Sequence, residues 1–209
     1  MNAVQTVTLG MGCFWSPEAL FGHMPGVVGT RVGYAGGKTA FPTYRELGDH
    51  TETVQVHYDP RLVTFEQLAE LFWSNHNPVN INDYKGKQYM SLLFYASAEQ
   101  EEAIRRVLNS REERELPRPE TRIEAIAHFY PAEERHQKYY LQRYPDAMEK
   151  LAMLYPERTE LLGSRLAARL NGLAKGFTNM ERVRNEIAGW NMDQAERAAM
   201  LETIKQIRW

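Results

Sequence analysis

Cysteine is almost missing from this chain: one residue, Cys13, among 209. An intramolecular disulfide is therefore excluded, and with it the stapled framework of small secreted domains. No apolar run approaches the roughly 18 residues that span a bilayer. The opening Met1-Asn2-Ala3-Val4-Gln5-Thr6 lacks the basic-then-apolar order of a secretory leader. Charge of one sign is missing too: 25 Lys and Arg face 27 Asp and Glu, a formal net charge of −2. Electrostatic attraction to nucleic acid or to an anionic membrane is not expected at that balance. The six histidines (His23, His50, His57, His76, His128, His136) show no H-E-x-x-H spacing. Gly33 to Gly37 lacks the Lys-Ser/Thr end of a phosphate loop, so neither a metal nor an organic cofactor is expected. No internal repeat or low-complexity tract occurs. The chain reads as soluble and cytoplasmic.

Against these absences stands an ordinary globular composition, 43% hydrophobic and 25% charged. The length suits one large domain, or one domain and an appendage. Val4 to Leu9 alternates apolar and polar residues and predicts a strand, and Cys13 to His23 has helical spacing up to the Pro25-Gly26 stop. Val27 to Tyr34 and Thr51 to Tyr58 read as strands flanking a long loop broken by Gly36, Gly37 and Pro42. Thr64 with Gln67, and Ser97 with Gln100, have the capping-box spacing that opens a helix. Between those helices lie a polar loop, His76 to Gln88, and an apolar strand, Tyr89 to Tyr95. Ile123 to His128 predicts a fifth strand, and Ala132 to Tyr144 a helix. The order β-α-β-β-α-β, then α-β-α, predicts an α+β two-layer sandwich with a ferredoxin-like split βαβ core and a mixed sheet.

After Pro145 the character changes. Residues 147–209 contain no convincing strand and are rich in Ala, Leu, Met, Glu and Arg. Leu162, Leu166, Leu170 and Leu173 share one helical face, with Arg165 and Arg169 on another. Thr178 with Glu181 and, further on, Asn191 are candidate caps for two more helices separated by Gly189. The expected organisation is a catalytic domain over 1–146 and a helical C-terminal extension over 147–209 packed on it, since apolar helical faces are normally buried. A basic amphipathic stretch can also meet a membrane or a partner helix.

Cys13 lies in Gly12-Cys13-Phe14-Trp15, after a strand and at the start of a helix. A helix N-terminus favours the thiolate, which is the reactive form of cysteine. A buried, inert thiol is the competing reading. Glu52 is spaced by two from Val54 and Val56, so all three share one face of their strand, and a carboxyl on an apolar face needs a reason.

Gly12-Cys13-Phe14-Trp15 with Glu18 resembles the active-site signature of peptide methionine sulfoxide reductase A. The resemblance continues in order through Gly33-Tyr34-Ala35-Gly36-Gly37, Pro42-Thr43-Tyr44, and His50 to Val56. It then takes in His76-Asn77-Pro78, Gln88-Tyr89, Phe129 to Glu134, and His136-Gln137. It covers about residues 4 to 145 and does not extend over the C-terminal helical segment. It implies reduction of methionine S-sulfoxide, peptide-bound or free, by thiolate attack from Cys13 and passage through a sulfenic acid. It implies Glu52 as the acid for the sulfoxide oxygen, Tyr44 and Tyr89 as hydroxyl donors, and Phe14 and Trp15 as the apolar wall for the methyl group. Asp83 corresponds to a substrate-binding aspartate of the family, although one extra residue separates it from Gln88-Tyr89.

The resemblance also exposes departures. Many members carry a resolving cysteine and this chain has none, so an external thiol such as thioredoxin, glutaredoxin or glutathione must regenerate Cys13. The usual His-Asp-Pro reads His76-Asn77-Pro78, Met90 replaces an expected Arg, and the loop between Tyr44 and Glu52 is short. The alternative to an enzyme is a catalytically weak module that binds methionine sulfoxide, or a redox sensor. A cysteine hydrolase is weaker still, because nothing near Cys13 in the sequence supplies a His–Asn/Asp pair.

Overall fold

The computed structural model describes residues 4–209; the expectation that no leader precedes the domain falls partly on residues 1–3, outside the described residues. Val7, Leu9 and Met11 alternate along strand β1 (Gln5–Met11) and are all buried. That face is continued by Val54, Val56 and Tyr58 of β3 (Thr51–Tyr58) and by Leu93 of β4 (Ser91–Tyr95). Three helices cover it: α1 (Trp15–Gly22), α2 (Phe65–Ser74) and α3 (Ala98–Glu113) supply Leu20 and Phe21, Phe65, Leu68 and Phe72, and Ala103, Ile104 and Val107. Period-two patterning in the strands and helical spacing in the covering layer thus meet in one core.

With β2 (Val27–Ala35), β5 (Arg122–Ala125) and β6 (Phe129–Pro131), the sheet runs β5-β4-β1-β3-β2-β6. β1 and β2 both pair antiparallel to β3, which lies between them, so the β1-α1-β2 crossover skips one strand. β4 likewise pairs with β1 and leaves β1 between itself and β3. This is the split βαβ arrangement that the order of elements predicts. β5 pairs parallel to β4 and makes the sheet mixed. The two caps are also found: Thr64 opens α2 with both arms of the box in place, and Ser97 accepts the Gln100 N–H at the start of α3.

Two segments depart from expectation. Ala132 to Tyr144 is not a helix but two single 3-10 turns, Glu134–His136 and Leu141–Arg143, because Lys138 between them takes a left-handed φ of 49°. That turn sends its ammonium inward, where Nζ meets Glu18 Oε1 at 2.6 Å and Thr30 O at 2.7 Å, and both side chains are fully buried. The second departure is β6, an edge strand ending in Pro131, which pairs Tyr130 with Tyr34.

The C-terminal segment forms α4 (Pro145–Leu154), α5 (Arg158–Gly163), α6 (Arg165–Lys175), α7 (Met180–Ala188) and α8 (Gln194–Lys205). They bury Leu151, Leu166, Leu170, Val183, Ile187 and Ile204 in a second core that also takes in Leu141 from before Pro145. α6 lies directly on α1. A Cβ at Gly22 would stand 2.8 Å from Ala168 O, and one at Gly172 2.5 Å from His23 Cβ, so both positions need glycine. Arg169, on a different face from these leucines, is buried as well. It is 1% exposed and donates to Gly22 O at 2.6 Å, Val27 O at 2.7 Å and the Glu186 carboxylate at 2.7 Å. The helix caps are Asn179 and Asp193 in place of Thr178 and Asn191.

Candidate active site

The end of β1 delivers Cys13 through a tight turn at Gly12, whose φ is 88° and where a Cβ would stand 2.6 Å from Ile81 Cγ2. Helix α1 begins only at Trp15, with Phe14 as its cap, so Cys13 precedes the first turn. The first turn of a helix therefore does not lend Cys13 the support for a thiolate that the sequence suggests. Burial and the neighbouring Glu52 carboxylate push the Cys13 thiol up to about 11, and the Trp15 backbone N–H offsets only part of this.

Glu52 faces the thiol from β3. It is buried, and burial holds its carboxyl above the usual range. It accepts the Phe14 backbone N–H at 3.1 Å and the Gln88 side-chain amide at 2.6 Å, and it lies beside the Cys13 thiol. These contacts favour the carboxylate, yet burial outweighs them. Carboxyl and thiol therefore both lean towards their protonated forms beside one another.

Tyr44 and Tyr89 converge on the same place. Burial, then the Glu52 charge, raises both phenols, Tyr89 to about 12, so each keeps its proton and remains a donor. The Tyr44 backbone is fixed by Glu133 Oε1 at 3.1 Å, whose other oxygen accepts the buried Tyr34 hydroxyl at 2.8 Å. Trp15 is half-buried and stacks on Tyr139 at 3.8 Å between ring centroids. Phe14 is buried beneath, 6.0 Å from Tyr34 and 5.6 Å from His136 between centroids. His136 is wedged between Phe14, Trp15 and Tyr44, neither ring nitrogen has a protein partner, and burial lowers its pKa.

Asp83 is not brought to this cluster. It is exposed at φ 60°, where its backbone N–H and a carboxylate oxygen bond the Asn80 side chain. Its neighbour Tyr84 takes the place: the ring stacks on Tyr89 at 4.5 Å and covers Gly12. The extra residue before Gln88-Tyr89 is the signal that could have pointed to Tyr84. Gln88, Glu133 and His136 stand in the quoted motifs, but their contacts were not legible there. Among the described residues no cluster of three His, Cys, Asp or Glu could hold a metal, and no helix is long and apolar enough to cross a membrane.

A soft sulfur, a protonatable carboxyl and phenolic donors around one hollow define a cysteine-dependent redox site. The family model for peptide methionine sulfoxide reductase matches residues 5–165. A Drosophila melanogaster peptide methionine sulfoxide reductase is 40% identical over 204 residues, 96% of this chain and 80% of its own. Peptide methionine sulfoxide reductase MsrA of Methanococcus maripaludis is 40% identical over 150 residues, 68% of this chain and 96% of its own. Among solved structures, methionine sulfoxide reductase A of Corynebacterium diphtheriae superposes with a TM-score of 0.59 at 34% identity, covering 70% of this chain and 77% of that one. Mxr1 of Saccharomyces cerevisiae in reduced form gives 0.61 at 30% identity, covering 68% and 86%. The chain belongs to the peptide methionine sulfoxide reductase family. The Drosophila match, at 96% of the chain, must run into the C-terminal helices and so corrects the expectation that the likeness ends before them.

Proposed function

We propose that this chain reduces methionine S-sulfoxide, free or within oxidised proteins, through Cys13 with Glu52 as the proton carrier. The carrying observation is the buried Glu52 carboxyl held against the Cys13 thiol by the Phe14 N–H and the Gln88 amide. In the first step Glu52 gives its proton to the sulfoxide oxygen and takes up that of the thiol as Cys13 sulfur attacks. Tyr44 and Tyr89 stabilise the charge developing on that oxygen, and Trp15 borders the methyl group. The transient bond from Cys13 Sγ to the substrate sulfur and the substrate S–O bond both break as the hydroxyl passes to Sγ, so methionine leaves and Cys13 is left as a sulfenic acid. Glu52 ends the step protonated, as it began. Asp83 has no part in this account.

The domain reading takes residues 1–146 as the catalytic unit and 147–209 as its packed helical extension, on the support of the Arg169 and Gly22–Ala168 contacts. With a single cysteine, a thiol from outside must return the sulfenic acid to the thiol. Thioredoxin, glutaredoxin and glutathione are the candidate donors, and a reducing compartment such as the cytoplasm suits a free thiol. The family assignment and the absence of a basic charge excess support no role with nucleic acid or a membrane surface.

Steady turnover of a methionine S-sulfoxide substrate with excess dithiol is the expected outcome, and Cys13→Ser abolishes it. A merely binding module would consume at most one thiol equivalent, and turnover surviving in Cys13→Ser would falsify the mechanism.

A further inference from the structure

Cys13 also borders a second space. A cavity of about 480 Å³ opens beside it, walled by Trp15, Asn75, Asn77, Tyr84 and Phe177. Glu52, Tyr44, Phe14 and Tyr89 take no part in that wall, so the cavity approaches the sulfur from a side the acid does not occupy. Its size falls within the roughly 300–1,000 Å³ of small-ligand pockets.

The wall has a consistent chemistry. Asn75 donates its amide to Leu71 O at 2.7 Å, which leaves its carbonyl oxygen as an acceptor. Asn77 accepts the Val79 N–H at 3.1 Å, which leaves its amide hydrogens as donors. Together they offer the two halves of a peptide-group partner. Phe177, held after α6 by its N–H to Gly172 O at 2.9 Å, supplies an apolar side. Lys175, outside the wall itself, places its ammonium 4.7 Å from the centroid of Tyr140, a wall residue, so a positive charge stands next to the cavity.

We infer that this cavity receives the thiol that regenerates Cys13, a small peptide thiol bearing carboxylates; the inference rests on the reductase reading above. After methionine leaves, the sulfenic oxygen remains on the side of Glu52 and the phenols. Displacement at sulfur proceeds from the side remote from the leaving oxygen, which is where the cavity lies. The thiol sulfur forms a bond to Cys13 Sγ, the S–O bond breaks, and the oxygen departs as water with its own hydrogen and one proton from Glu52; the thiol proton passes to solvent, from which Glu52 recovers its own. A second thiol then attacks the mixed disulfide, releasing a disulfide and the Cys13 thiol. Two thiols lose two electrons and the sulfenic sulfur gains two. The C-terminal helices thereby contribute Phe177 and Lys175 to recycling.

The test uses the full chain, oxidised with one equivalent of substrate, and follows loss of the Cys13 sulfenic acid by quenched mass spectrometry. Glutathione is the probe, with β-mercaptoethanol as an uncharged thiol lacking peptide groups. Saturable dependence on glutathione is expected, with the half-saturating concentration raised several-fold by Lys175→Glu and by Asn77→Leu. Neither variant changes the β-mercaptoethanol rate or the first burst of methionine. A linear glutathione dependence unaltered by both variants overturns the inference. So does recovery by protein thiols alone, or a shift in the substrate concentration needed for the burst, which would make the cavity a substrate site. No burst in the unaltered chain would instead remove the reductase reading itself.

Discussion

Glu18 of helix α1 and Glu52 of strand β3 are both buried carboxyls, at 0% and 1% exposure, yet their surroundings give them opposite uses. Glu18 is met by the Lys138 ammonium at 2.6 Å, the Lys138 backbone N–H at 2.6 Å and the Thr30 hydroxyl at 3.3 Å. A carboxylate so matched is a tie: it pins the turn carrying His136 and Tyr139 onto α1. Glu52 is met by amide N–H groups and a thiol, with no cationic partner among the described residues, and burial raises its pKa. A carboxyl in that position holds its proton more tightly than a solvated one, which suits it to proton transfer. Placing a charge beside the carboxyl makes it structural; withholding one makes it reactive.

Removing the proton carrier should have the largest effect. Glu52→Gln is expected to lower the single-turnover rate of methionine formation by roughly 10²–10⁴-fold, the range of a lost general acid. An unchanged rate would return Glu52 to a structural role. The stability effect has the opposite sign. The folded pKa of Glu52 lies above its unfolded value, so its favourable contribution is complete below the unfolded pKa and is lost as pH rises through the folded one. Urea midpoints above that window should therefore be no lower for Glu52→Gln than for the unaltered chain.

Breaking the other pair reverses the pattern. Lys138→Met strands the Glu18 charge and should cost about 3–5 kcal/mol in urea unfolding, much of it recovered by adding Glu18→Gln. A loss below about 1 kcal/mol, the range of exposed pairs, would mean the tie is not what holds the turn. The smallest effects separate the neighbours Asp83 and Tyr84. Tyr84→Ala should lower kcat/KM up to about tenfold, the worth of one aromatic pair supporting Tyr89. Asp83→Ala should alter neither kcat/KM nor stability beyond about 0.5 kcal/mol. The reverse ranking would restore Asp83 to the site.

The core was legible wherever local pattern and tertiary burial agree. Period-two strands, the Thr64 and Ser97 caps and the element order led directly to the split βαβ sheet. Cys13, Glu52, Tyr44 and Tyr89 were reached through the order of motifs, and they converge in space. What failed depended on partners distant in sequence. Lys138 abandons helical geometry to meet Glu18, 120 residues away, and no local propensity encodes that. The burial of Arg169 depends on Gly22 O and Val27 O, more than 140 residues away, and its place on a helical face does not encode that. The raised proton affinity of the thiol is likewise not local, since it comes chiefly from burial in the tertiary fold and then from the Glu52 carboxylate of β3.

The sharing of a proton between Cys13 and Glu52 is tested most directly by the pH dependence of Cys13 alkylation, measured by mass spectrometry in the unaltered chain and in Glu52→Gln. The account predicts a midpoint near 11 in the unaltered chain, raised chiefly by burial, and a lower one in the variant, because the Glu52 charge adds to the effect of burial. A midpoint in the ordinary range of a free thiol, unmoved by Glu52→Gln, would contradict it.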